Sequence, residues 1–172
     1  RIDVLYTHQF RTRLGVTSTR AYGGLYFGKA PIWHLFEMGG LSTNQENSLL
    51  SNFTFTSYLG FATMTAGKYF NDKFAGYYIS HRIPWYFKSL GKNTSSFDVI
   101  YRGVIGNMKN PEYHQFEGFS PLDHLYQEVG LEYINFLSSR LNLGLFYRVG
   151  HYSTNDFKDN FGFQLKFKFL EF

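Results

Sequence analysis

The end of the chain constrains the fold most. Phe161, Phe163, Leu165, Phe167 and Phe169 alternate with Gly162, Gln164, Lys166 and Lys168. A period of two is that of a β-strand, whose successive side chains point to opposite faces. One set is large and apolar, the other small, amide or cationic. That division suits a strand with lipid on one side and a wet lumen on the other.

The same alternation recurs upstream. Leu141, Leu143, Leu145, Tyr147 and Val149 oppose Asn142, Gly144, Phe146 and Arg148, and Leu125, Val129, Leu131 and Tyr133 oppose Tyr126, Glu128, Gly130 and Glu132. Phe97, Val99, Tyr101 and Ile105 oppose Asp98, Ile100 and Arg102. Tyr77, Ile79 and Ile83 oppose Gly76, Tyr78, Ser80 and Arg82. Thr17 to Phe27 and Ile2 to Phe10 read as two more strands joined near Arg13-Leu14-Gly15. The expected fold is therefore all-β, with about seven antiparallel transmembrane strands. Bacterial single-chain barrels use an even number of strands, so these are expected to be the C-terminal strands of a larger barrel, with residues 1–172 inside one barrel domain. Arg1-Ile2-Asp3-Val4 has no apolar h-region or cleavage site, and any export signal is expected elsewhere.

Connection lengths support this reading. Turns at Arg11 to Gly15, Pro84 to Asn93 and Asn135 to Ser139 are expected on the periplasmic side, and the longer Gly28 to Asp72, Gly106 to Asp123 and Gly150 to Asp159 outside. Aromatic residues make up 21% of the chain, and Trp33, Trp85, Tyr86, Tyr101, Tyr133 and Tyr147 near strand ends suit an interfacial girdle. No apolar run reaches the roughly 18 residues that a membrane-spanning helix needs. The absence of Cys excludes disulfide staples and thiolate metal sites. A net charge of +4 without a basic stripe does not point to nucleic acid. The expected partners are outer-membrane lipid, lipopolysaccharide phosphate and other outer-membrane or periplasmic proteins.

Gly106-Asn107-Met108-Lys109-Asn110-Pro111-Glu112-Tyr113-His114-Gln115, then Gln127-Glu128-Val129-Gly130-Leu131, then Asp159-Asn160-Phe161-Gly162-Phe163-Gln164-Leu165 form an ordered succession. Together with Phe61-Ala62-Thr63-Met64 and Phe70-Asn71-Asp72-Lys73-Phe74, it resembles the C-terminal barrel of a Bacteroidota outer-membrane family. Members of that family carry an N-terminal carboxypeptidase-regulatory-like domain and a barrel similar to the BamA/TamA assembly superfamily. The resemblance spans roughly residues 15 to 172. It implies a sixteen-stranded barrel in the outer membrane of a Gram-negative bacterium, with a non-enzymatic role in protein or lipoprotein assembly or export. Gly28 to Asp72 becomes the sixth extracellular loop, which in BamA-like barrels folds into the lumen. The Arg-Gly tip of that loop is absent: Glu37-Met38-Gly39-Gly40 is the nearest sequence, and the loop contains no Arg.

The charged residues expected on the luminal face are Asp98, Arg102, Glu128, Glu132, Arg148, Lys166 and Lys168, of both signs on neighbouring strands. Glu128 and Glu132 lie about 13 Å apart along a strand, too far to act as an acid–base pair on one atom. A structural cross-strand ion-pair network is the expectation. His151-Tyr152-Ser153-Thr154-Asn155 faintly resembles the His-x-Ser-Asn signature of lipid A deacylases. A His base beside a Ser hydroxyl is the minimum for acyl transfer, although Thr154 interrupts the motif. A small lipid A hydrolase using His151 and Ser153 and a plain pore stand as alternatives. The six His, among them His114 in a loop, show no metal-ligand spacing, and no cofactor or metal is expected. Phe167, Phe169 and Phe172 are expected to form a C-terminal strand signal. The parity break after Phe169 puts Leu170 to Phe172 in a bulge or tail.

Overall fold

The protein is described from a computed structural model, covering residues 1–42, 60–83, 87–88, 94–114, 118–136 and 141–167. Its strands in chain order are β1 (Ile2–Thr12), β2 (Gly15–Leu25), β3 (Phe36–Glu37), β4 (Gly40–Ser42), β5 (Phe61–Thr65), β6 (Phe70–Asn71), β7 (Lys73–Arg82), β8 (Phe87–Lys88), β9 (Thr94–Asn107), β10 (Tyr126–Ile134), β11 (Leu141–Val149) and β12 (Phe161–Phe167). The described residues are all-β apart from single 3-10 turns.

Seven of these strands form one antiparallel meander in the order β1-β2-β7-β9-β10-β11-β12, with β8 paired to the start of β9. Each is the next long strand in the chain, as expected where short turns join antiparallel neighbours. The sheet is not closed: among the described residues β1 and β12 each have one neighbour. Period-two reading located all seven, with shifts at the ends. β2 starts at Gly15, whose φ of +136° turns the chain out of β1, and it stops at Leu25 rather than Phe27. Lys168, Phe169 and Leu170 to Phe172 lie outside the described residues. So do Trp85, Tyr86 and most of the turns expected at Pro84 to Asn93 and Asn135 to Ser139.

The two faces of the sheet differ in kind. Along β10, Glu128 and Glu132 are 0% and 4% exposed, whereas Val129 and Leu131 between them are 40% and 42% exposed. Val99, Tyr101, Ile105, Leu145 and Phe161 share the bare face, and Asp98, Arg102, Asn142, Gln164 and Lys166 the buried one. A sheet of a water-soluble domain has the opposite arrangement, apolar inside and polar outside.

The connection between β2 and β7 covers the charged face. Its parts β3 to β6 have no counterpart in the period-two pattern. β3 pairs with β6, and β4 runs parallel to β5. Phe36, Met38, Phe61, Met64 and Tyr69 from this connection join Val104 of β9, Tyr126 of β10 and Leu122 in one buried cluster. β5 lies over β11 and β12.

Aromatic rings lie across glycines of the neighbouring strand. Tyr22 covers Gly76 and Tyr77 covers Gly103, each pair in register, and Phe146 covers its register partner Gly130. A Cβ on Gly130 would stand 2.3 Å from Phe146 Cδ1 and 2.8 Å from the Leu145 carbonyl oxygen, and part of that obstacle is rigid backbone. Overpacking of this kind costs about 1 to 3 kcal/mol. Gly130→Ala should lower stability by that amount in urea unfolding followed by tyrosine fluorescence; an unchanged midpoint would show that Phe146 has room to move.

Candidate functional site

Glu128 is the centre of the buried face. β10 places it between Arg102 of β9 and Arg148 of β11, the residues opposite it in register. It pairs with Arg102: Glu128 Oε2 accepts from Arg102 Nε at 2.8 Å and lies 2.6 Å from Nη2. The same carboxylate holds the covering connection. Oε2 accepts from the Ala62 backbone N–H at 3.2 Å, and Oε1 accepts from the Thr63 backbone N–H at 2.6 Å and the Thr63 hydroxyl at 2.5 Å. Thr63 Oγ1 lies 2.9 Å from Tyr126 Oη; with the threonine proton given to Glu128, Tyr126 is the donor.

Arg102 is 1% exposed. Its guanidinium carbon sits 4.1 Å above the Phe146 ring and 5.3 Å from that of Phe61, so a ring from the sheet and a ring from the connection enclose it. A cation excluded from water gains from such faces. Gly162 provides the clearance for β5. A Cβ there would stand 2.8 Å from Thr63 Cγ2 and 2.9 Å from the Ala62 carbonyl oxygen.

The other charges find separate partners. Asp98 and Glu132 face each other in register, two carboxylates that would repel if left together. Each turns to the opposite side. Arg82 grips Asp98 with two bonds of 2.8 and 3.0 Å, while Glu132 accepts from Lys166 Nζ at 2.6 Å and Asn142 Nδ2 at 3.0 Å. Arg148 leaves Glu128 to Arg102 and binds the β11–β12 hairpin, donating to Asn160 Oδ1 and the Asp159 carbonyl. Asn160 is the hub of that hairpin. It also accepts from Thr154 N–H and donates to the carbonyls of Thr154 and Asp156.

Six of the seven charges read from the sequence thus lie on one face, in distinct contacts, and Lys168 is outside the described residues. Phe167 is the last residue of β12, opposite Leu141; Phe169 and Phe172 are not described. Ala62, Thr63, Tyr126, Asn142, Asn160 and Gly162 were missed as members of the site. Ala62 serves through its backbone, which leaves no side-chain signal. Asn160 and Gly162 fall inside a quoted motif, but their roles depend on contacts distant in sequence. His151 and Ser153 do not form a nucleophile–base pair. The Ser153 hydroxyl donates to the Gly150 carbonyl at 2.7 Å, and the His151 ring stacks on His124. Among the described residues no three His, Asp or Glu side chains gather as a metal site, and no helix is long and apolar enough to cross a membrane.

Comparison with protein-family models, with curated proteins and with solved structures yields no match.

Removing one partner of a buried, hydrogen-bonded charge pair costs about 3 to 5 kcal/mol, because the other charge is left alone. Glu128→Ala should lose stability on that scale and free the Ala62 and Thr63 amides, read as faster hydrogen exchange across residues 61–65. Protection equal to that of the unaltered protein would mean that the apolar cluster alone retains the connection.

Proposed function

We propose that the chain is the C-terminal part of an outer-membrane β-barrel of the BamA/TamA-like type, acting without catalysis in the assembly or export of outer-membrane proteins or lipoproteins. The observation that carries this reading is the inverted sheet, with paired charges on the covered face and Val99, Val129, Leu131 and Leu145 on the bare one. An apolar patch spread over three neighbouring strands is of a kind that water-soluble monomers rarely expose, and lipid is the solvent that suits it. Five of the seven long strands agree in length, β9 with 14 residues and β12 with 7 lying to either side. β1, β2, β7, β10 and β11 have 11, 11, 10, 9 and 9 residues, against the roughly 9 to 11 that a tilted strand needs to cross a bilayer. β1 is exposed along its whole length, and a long bare edge invites further strands, in keeping with a barrel of sixteen.

The role in assembly rests on the family resemblance and on the β2–β7 connection. In such a barrel the connection occupies the lumen as a plug, held by Glu128 and Arg102. Its grip on main-chain amides takes the place of the missing Arg-Gly tip, with the arginine on the barrel wall. The apolar rim matches outer-membrane lipid and lipopolysaccharide, and client proteins are the partners such a barrel serves.

Because the chain has no Cys, single cysteines report without background. At positions 131 and 145 they should react with a membrane-dissolved maleimide and resist a membrane-impermeant one. Leu131→Arg should destabilise the folded protein by about 2 to 4 kcal/mol, the scale for a cation on the lipid face near the midplane. Strong aqueous labelling at 131, or a neutral effect of the arginine, would remove the membrane reading. The hydrolase alternative has a separate test. Replacing both His151 and Ser153 by Ala should leave lipid A acylation unchanged by mass spectrometry, and an acyl chain lost only with the intact protein would overturn the non-enzymatic assignment.

A further inference from the structure

Two histidines from separate connections meet at the end of the sheet where β9 finishes. His124 lies just before β10, and His151 in the β11–β12 hairpin. Their rings are parallel within 6°, with centroids 3.8 Å apart. Asp123 Oδ1 lies 2.9 Å from His124 Nδ1 and accepts from Tyr152 Oη at 3.1 Å, and His124 N–H points to that phenol oxygen at 3.4 Å. Tyr152 therefore ties the two connections together beside the stacked rings.

The contact continues inward. Tyr152 stands edge-on to Tyr69 at 5.7 Å and packs on Tyr126 at 5.5 Å. Tyr126 holds Thr63, which Glu128 grips. An unbroken series of side chains links the exposed imidazoles to the tether of the covering connection.

We propose that His124 and His151 form a pH-sensitive clasp: stacked while at least one ring is neutral, it braces the covering connection through Tyr152 and Tyr126, and it opens when both rings are protonated. Two imidazolium ions face to face repel, and histidine is the side chain that charges between about pH 5 and 8. The surrounding groups keep fixed charges across that window. Hydrogen bonds from His124 and then Tyr152 hold the Asp123 carboxyl below its usual range, so it stays ionised and can stabilise one imidazolium but not a stacked pair. Burial pushes the Tyr152 phenol up to about 12 and raises that of Tyr69, so both stay neutral. From the neighbouring elements the cations are Lys68, over the Tyr69 ring at 5.5 Å, and Arg148, whose charge reaches Tyr69; neither offsets a second imidazolium. The sign follows: bracing is present at neutral pH and is lost as pH falls.

The test is amide exchange by mass spectrometry on the intact protein at about pH 7.5 and about pH 5.5, corrected for the intrinsic pH dependence of exchange. Protection in the segments 61–65 and 150–160 should fall about fivefold or more on acidification, the scale of ordinary coupling between sites. His151→Phe keeps a flat ring that cannot charge, and should abolish the fall; His124→Phe serves if that variant does not fold. Equal protection at the two pH values, a variant that responds like the intact protein, or a loss confined to 150–160 would each overturn the proposal. The outcome is independent of the membrane reading, which the cysteine labelling tests.

Discussion

A carboxylate with no exposure to water is tolerable only if its charge is answered where it sits, and Glu128 is answered from two sides at once. The sheet supplies a guanidinium and the connection supplies two main-chain N–H groups and a hydroxyl. Each side needs the other. Without the connection, Arg102 and Glu128 would face water as an ordinary pair of modest worth. Without the carboxylate, the amides of Ala62 and Thr63 would be buried with no acceptor. The low dielectric that the cover creates strengthens the contacts that hold the cover in place.

The remaining charges obey the same rule of local neutralisation. Register puts Asp98 against Glu132 and places Glu128 between two arginines, an arrangement that would be unfavourable if every residue used its nearest neighbour. The face resolves it by alternation: Asp98 turns to β7, Glu132 to β12, and Arg148 to the hairpin beyond its own strand. Small residues accompany these charges because long side chains need room to reach sideways. Gly130 and Gly144 let the Phe146 ring lie flat, and that flat ring is the floor on which Arg102 rests.

Much of this architecture was legible in the sequence, because strands that separate two environments write a period of two into their side chains. All seven long strands and six of the charges on the covered face follow from that period, down to Arg148, which lies on the covered face but bonds to the hairpin at Asp159 and Asn160. Strand ends were less legible: β2 begins two residues earlier than its alternation suggests, because Gly15 sets the turn through its backbone rather than its side chain. The β2–β7 connection was the least legible part. It does not alternate, its short strands owe their pairing to the surface beneath them, and the group that fixes it is a glutamate about 65 residues further on. The histidine stack was hidden for a similar reason, since His124 and His151 come together only when two hairpins are laid side by side.

That Glu128 holds peptide N–H groups rather than a particular side chain has an evolutionary consequence. Nearly every residue type carries an N–H at Ala62 and Thr63, so substitution along the connection leaves most of the tether unaltered. Selection on this contact acts on the sheet, on Arg102, Glu128 and the missing Cβ of Gly162, and only weakly on the segment being held. A connection retained in this way can diverge in sequence while keeping its place. Descendants of one ancestral sheet of this kind would then share the residues of the covered face and the strand register long after their covering segments had ceased to resemble one another.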